Sequence, residues 1–246
     1  MPFTFSHPAL ILPFRFVGRK YFSITGLVVG TVVPDFEYFV RLKNMSYYSH
    51  TWAGAFWFDL PIGVLLCFVF HNIIKGQFIL NSPYLLHIRF IRFYHFNWNK
   101  YFTQHLLIVA CSILIGVFTH LIGDRVTHKS FHIVTSVPDL KNVQSIAYHP
   151  LRVYRFFQSL YSTAGILLIL LTIWYLPVNR GLIRYRPDMR YWFLLSGIFT
   201  SAFTLFIMIR DTLYVDYVIS SISAFLVSIL ATSIILLPRK RLLFTE

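Results

Sequence analysis

Four ligand-type side chains, His120, Asp124, His128 and His132, recur at steps of four where an apolar stretch ends near the middle of the chain. On an α-helix such steps keep residues on one face, drifting about 40° per step. Two imidazoles and a carboxylate on one helical face can hold a divalent metal ion. Ionisable groups at membrane depth are costly, which makes them functional candidates. The competing reading is that they are polar residues at the water boundary, hydrogen-bonded to neighbours and binding nothing. This segment alone leaves both readings open.

Other residues of the same chemistry precede the cluster. His7 lies in Phe3-Thr4-Phe5-Ser6-His7-Pro8, Asp35 and Glu37 in Val33-Pro34-Asp35-Phe36-Glu37-Tyr38, and His50 in Tyr48-Ser49-His50-Thr51. Asp59, His71 and His149 follow. An αα-hairpin closing at Gly18-Arg19-Lys20 brings His7 and Asp35 to one level. Asp35 and His120 fall at the ends of apolar runs and His50 at the start of one, so a single layer can hold His7, Asp35, His50, His120, Asp124 and His128. Asp59 is about 13 Å further along a helix from His50, at 1.5 Å per residue, which suits a supporting partner or a second metal. Asp35, Glu37 and Asp59 are the candidate general bases, while Arg41, Arg125 and Lys129 could attract an anionic group. His71 falls toward the far end of its segment, and His87, His95 and His105 read as interfacial side chains.

The elements that must position these residues are helices in a bilayer. The 246 residues are 57% hydrophobic and only 13% charged, against about 25% charged in a soluble domain. The fold class expected is therefore all-α, a polytopic membrane helical bundle. Six apolar segments can be read, at about 24–40, 52–74, 104–122, 160–178, 192–209 and 215–237. The run from Pro8 to Val17 is too short to span, so it must be re-entrant or packed within the protein. The stretch 75–102 mixes aromatic and basic residues and reads as an interfacial segment in contact with lipid.

All ten histidines lie within residues 1–150 and none in 151–246. This suggests a His/Asp-rich helical core over 1–150 and a three-helix membrane anchor over 151–246. The net charge of +13 sits mainly beside the apolar runs, as cytoplasmic loops and anionic lipid head groups require. Membrane lipids are thus the expected partners, and no nucleic-acid motif is present. The Lys and Arg bias favours a cytoplasmic C-terminus. Cys67 and Cys111 both lie in apolar runs, which argues against a disulfide framework. The N-terminus lacks the basic flank and small-residue cleavage site of a signal peptide.

Phe3 to Pro8, the Pro34-Asp35-Phe36-Glu37-Tyr38-Phe39 run, Ser49-His50-Thr51, Phe58-Asp59-Leu60-Pro61 and the His120/Asp124/His128 step together resemble the bacterial membrane family called domain of unknown function 4184 (DUF4184). The chain is more distantly similar to membrane-bound metal-dependent hydrolases of the YdjM type, themselves similar to all-helical zinc-dependent phospholipases C. By position, that similarity implies metal ligands at His7, Asp35, His50, His120 and Asp124. Glu37 and Tyr38 depart from it, standing where those hydrolases carry Asp and His.

Two function classes follow. One is a hydrolase of phosphoester or lipid-linked substrates, with a zinc-type divalent metal and with Glu37 and Asp59 as catalytic carboxylates. The other is a non-enzymatic transport or assembly protein whose polar core carries protons, metal or interhelical hydrogen bonds. The absence of a nucleophile elbow, a phosphate loop and a dinucleotide fingerprint removes other enzyme classes. The setting expected is the bacterial inner (plasma) membrane.

Overall fold

In the computed structural model, residues 3–16, 21–127, 150–179, 185–209 and 214–237 are described. They are helical throughout, with no strand among them. A 3-10 helix, Thr4–Phe16, opens the chain. It is followed by α1 (Ile24–Gly30), α2 (Val33–Arg41) and the long α3 (Ala55–Asn81). Two short helices, α4 (Tyr84–Phe90) and α5 (Trp98–Gln104), lead to α6 (Leu106–Thr127). The chain then forms α7 (Pro150–Trp174), α8 (Met189–Met208) and α9 (Tyr214–Ile235).

Four helical stretches are long and apolar enough to cross a membrane: Ala55–Asn81, Leu106–Arg125, Met189–Met208 and Asp216–Ile235. A shorter apolar helix covers Gln158–Trp174. The expected six are therefore not reached among the described residues. The first expected run, 24–40, is two helices. Thr31 and Val32 turn back onto Leu27 O and Val29 O, and Pro34 has no amide hydrogen with which to continue α1. The expected hairpin turn at 18–20 lies outside the described residues.

Two compact units are formed. The first comprises Met1–Asp35, Tyr47–Val64 and His105–Tyr175, and the second Phe36–Ser46, Leu65–Gln104 and Leu176–Glu246. These are divisions by packing; the 1–150 and 151–246 division above is one of residue type.

In the first unit, α6 is the axis. Val109, Ile113, Val117 and Leu121 are buried at successive steps of four, as are Ser112, Gly116, His120 and Asp124 beside them. The second column explains how α1 can lie so close. Gly26 and Gly30 of α1 meet Ser112 and Gly116 of α6, a pairing of small residues four apart that lets backbones touch. A Cβ on Gly30 would collide with the Ile113 carbonyl, and one on Gly116 with that of Leu27. The Ser112 hydroxyl accepts the Ser23 amide at 2.8 Å and fixes the start of α1. The N-terminal 3-10 helix is held on α7, where Gly165 leaves room for the Ser6 backbone and Ser162 Oγ accepts Phe3 N–H at 2.9 Å.

In the second unit, α8 packs on α9. Tyr38 and Phe39 share an apolar cluster with Ile219, and Ser223 Oγ donates at 2.8 Å to the Phe39 carbonyl. The stretch expected to lie at the interface turns several polar groups inward. Lys75, His87 and Arg89 are buried, while Arg92 and Lys100 are exposed. Lys75 Nζ donates to Phe96 O at 2.6 Å, and Arg89 Nη1 to Leu85 O at 2.7 Å. These main-chain carbonyls accept the cations, which makes their burial tolerable.

Candidate metal centre

His120 sits on α6 one turn beyond Gly116, so the close helix crossing decides what it meets. The break between α1 and α2 leaves the Thr31 carbonyl outside the helical ladder, because the Asp35 amide turns to Val32 O instead. His120 Nδ1 donates to Thr31 O at 2.8 Å. A carbonyl can only accept, so the proton is on Nδ1 and the Nε2 lone pair points away from it. This is how metal-ligating histidines are commonly oriented. His7 repeats the arrangement, with Nδ1 3.2 Å from Thr4 O. Ser49 Oγ lies 3.1 Å from His50 Nδ1. The loop carrying His50 is folded by Thr51, whose hydroxyl donates to Tyr48 O at 2.8 Å and accepts from the Gly54 amide at 2.9 Å.

Two carboxylates face these imidazoles. His50 Nε2 is 3.4 Å from Asp35 Oδ1 and 3.5 Å from Asp124 Oδ2. His120 Nε2 is 3.5 Å from Asp35 Oδ1 and 3.6 Å from Asp124 Oδ2. The four ligand atoms of Asp35, His50, His120 and Asp124 all lie within 4.8 Å of one another. Among the described residues, His120 Nε2 and Asp35 Oδ1 are buried with no hydrogen-bond partner of good geometry.

A lone pair facing a carboxylate oxygen needs a cation between them. A proton would draw the pair to about 2.7–2.9 Å, as in charge-assisted N–H···O bonds. Ligands at 2.0–2.2 Å around a tetrahedral metal instead lie about 3.3–3.6 Å apart along each edge. The four cross distances of 3.4–3.6 Å fall in the second range. The donor set, two imidazoles and two carboxylates, suits zinc and other borderline divalent ions.

The surroundings keep Asp35 in the ionised form a metal needs, while at His50 they favour a proton that an incoming ion must displace. Burial pushes the Asp35 carboxyl up, but the facing His120 and His50 imidazoles and the Thr4 hydroxyl outweigh it and hold Asp35 below the usual carboxylate range. Thr4 Oγ1 donates to Asp35 Oδ2 at 2.5 Å and leaves Oδ1 for the centre. Burial lowers the His50 imidazole, and the Asp124 and Asp35 carboxylates more than reverse this and raise it. With 18% of its side chain exposed, His50 is the ligand nearest solvent, against 0% for His120.

Of the residues singled out from sequence, His7, Asp35, His50, His120 and Asp124 are brought together. His128 lies outside the described residues, as do His132, His149 and Lys129. Glu37 and Asp59 are not in the four-residue group. Glu37 is two residues past Asp35 on α2, about 200° around the helix, and its carboxylate accepts from Arg41 Nε at 2.8 Å. Asp59 is fully buried at the end of a π-helical turn, Ala55–Asp59, that opens α3. Sequence reasoning missed Thr4, Thr31 and Ser49. The Gly26/Gly30 and Ser112/Gly116 spacing was available as a signal for the crossing. Which carbonyl it would expose was not.

The chain belongs to the family Domain of unknown function (DUF4184), whose model matches residues 1–236. No curated protein and no solved structure matches it.

Proposed function

We propose that this chain is a membrane-embedded hydrolase of phosphoester or lipid-linked substrates, working with a zinc-type divalent ion held by Asp35, His50, His120 and Asp124 in the bacterial plasma membrane. The observation that supports the reading is the meeting of imidazole lone pairs with carboxylate oxygens at tetrahedral-edge spacing, with Nδ1 of His120 held by Thr31 O. A divalent ion held there would lower the pKa of a water taken up as a fifth ligand to about 7 and would polarise a phosphoryl oxygen. Hydrolysis joins the water oxygen to phosphorus, releases the ester oxygen with its bonding electron pair, and passes a water proton to that oxygen through a base. Asp59 and Glu37 are the candidate bases. Glu37 is engaged by Arg41. Arg125, exposed beside Asp124 and 5.1 Å over the Trp52 ring, is placed to attract an anionic head group.

The experiment is metal analysis of detergent-purified protein after growth in zinc-replete medium, followed by turnover of phospholipid and soluble phosphoesters. Less than about 0.2 ion per chain would sink the site. The second reading is a non-enzymatic role, favoured by one observation: four protein ligand atoms gather within 4.8 Å of one another, the number of protein ligands in a structural zinc site. Bound metal without turnover of either substrate class selects that reading.

A further inference from the structure

Four protein ligands already match the usual number at a closed structural site, and a catalytic metal keeps a position for water or substrate. The opposite side of Asp124 supplies it. Asp124 turns Oδ2 to His50 and His120 and Oδ1 to His7, whose Nε2 is 3.3 Å away. His7 is buried, its Nδ1–H is committed to Thr4 O, and in the neutral imidazole its Nε2 presents a lone pair to a carboxylate oxygen. This is a second meeting of two acceptors, at 3.3 Å against 3.4–3.6 Å in the first.

The His7 and His120 rings are stacked, with centroids 4.1 Å apart and planes inclined by 23°. Two near-parallel imidazoles thus each face one oxygen of a single carboxylate. Ions on both would share Asp124 as a bridge and lie about 3.5–4 Å apart, the usual spacing of a two-metal hydrolytic centre. Unlike the first position, the second draws only two ligands from the groups described. On its rim is Tyr161, its ring 5.6 Å from that of His7 and its buried hydroxyl without a hydrogen-bond partner among the described residues. A Cβ at Gly123 would come within 3.2 Å of that hydroxyl, so the glycine keeps the space between α6 and Tyr161 open.

We infer that the site is dinuclear: Asp124 bridges the ion held by Asp35, His50 and His120 to a second divalent ion on His7, whose remaining positions take water or a substrate oxygen under the Tyr161 hydroxyl. The inference rests on the metal reading above, and ion stoichiometry separates the two. Protein purified with Zn²⁺ and desalted should carry two ions per chain. His7→Ala should carry one, and His120→Ala should lose the first ion. One ion in both wild type and His7→Ala overturns the second position and leaves the first standing. No ion in wild type overturns both. Should His7→Ala fail to fold, Mn²⁺-loaded wild type decides alone. An exchange-coupled electron paramagnetic resonance spectrum supports the bridge, and the six-line spectrum of isolated Mn²⁺ at full loading overturns it.

Discussion

His120 in the first unit and His87 in the second are matched in their immediate settings. They are 0% and 2% exposed, and each donates Nδ1–H to a main-chain carbonyl, that of Thr31 at 2.8 Å and that of Ile79 at 2.9 Å. They differ in what lies beyond Nε2. His120 looks onto Asp35 and Asp124, while His87 lies edge-on to the Tyr185 ring at 5.0 Å and has no hydrogen-bond partner on Nε2 among the described residues. Two described carboxylates of the second unit serve other ends. Glu37 binds Arg41, and Asp188 caps α8 by accepting the Arg190 amide. A buried, oriented histidine is therefore weak evidence of a metal site, and a buried carboxylate aimed at its lone pair is strong evidence.

The sharpest way to break that contrast is to remove one carboxylate and one histidine. Asp124→Ala should reduce bound metal to background, because Asp124 faces three imidazoles, while His87→Ala should leave metal content unchanged. Elemental analysis of both purified proteins reads the result, and full metal in Asp124→Ala would end the argument. Next in size is the helix crossing. Gly116→Ala places a methyl against backbone that cannot swing aside, so it should destabilise the protein by about 1–3 kcal/mol and displace Thr31 from His120. Denaturant unfolding in detergent together with metal content tests both effects. If it unfolds like wild type, the close approach of α1 and α6 does not position the site.

Thr4→Val probes orientation without touching a ligand. It removes the hydroxyl that occupies Asp35 Oδ2 and should weaken metal binding about 10–100-fold, measured by competition with a chromogenic chelator. An unchanged affinity would mean that Asp35 is held by its other neighbours. The smallest effect belongs to the second unit. A Cβ at Gly197 on α8 meets nothing within 4 Å. Gly197→Ala should therefore stabilise by about 0.5–1 kcal/mol with metal content unchanged, the reverse of Gly116→Ala.

What the sequence made legible depended on local geometry. The i, i+4 step of His120 and Asp124 needs only that the segment be helical, and α6 is. The meeting of His7 and Asp35 could be anticipated from a return of the chain, although the turn itself lies outside the described residues. Two short helices in place of one span over 24–40 were not anticipated, since an apolar run alone does not reveal that Pro34 ends the ladder of α1. Lys75, His87 and Arg89 were also misjudged as interfacial. Lys75 and His87 reach the carbonyls of Phe96 and Ile79, and Arg89 that of Leu85 one turn back in its own helix, and a pattern of residue types does not report those pairings.

The 3-10 helix at the start of the chain sets a timetable for assembly. It delivers Thr4 and His7 to partners 31 and 117 residues away, Asp35 and Asp124, and its own clamp is Gly165 and Ser162 on α7. A ribosome makes these pieces in order. The earliest ligand therefore waits, unsupported, until about two thirds of the polypeptide has been synthesised and α7 has arrived to hold it. Any ion bound by this group before that moment would meet an unfinished cage, so complete loading would be a late event in the biogenesis of this protein.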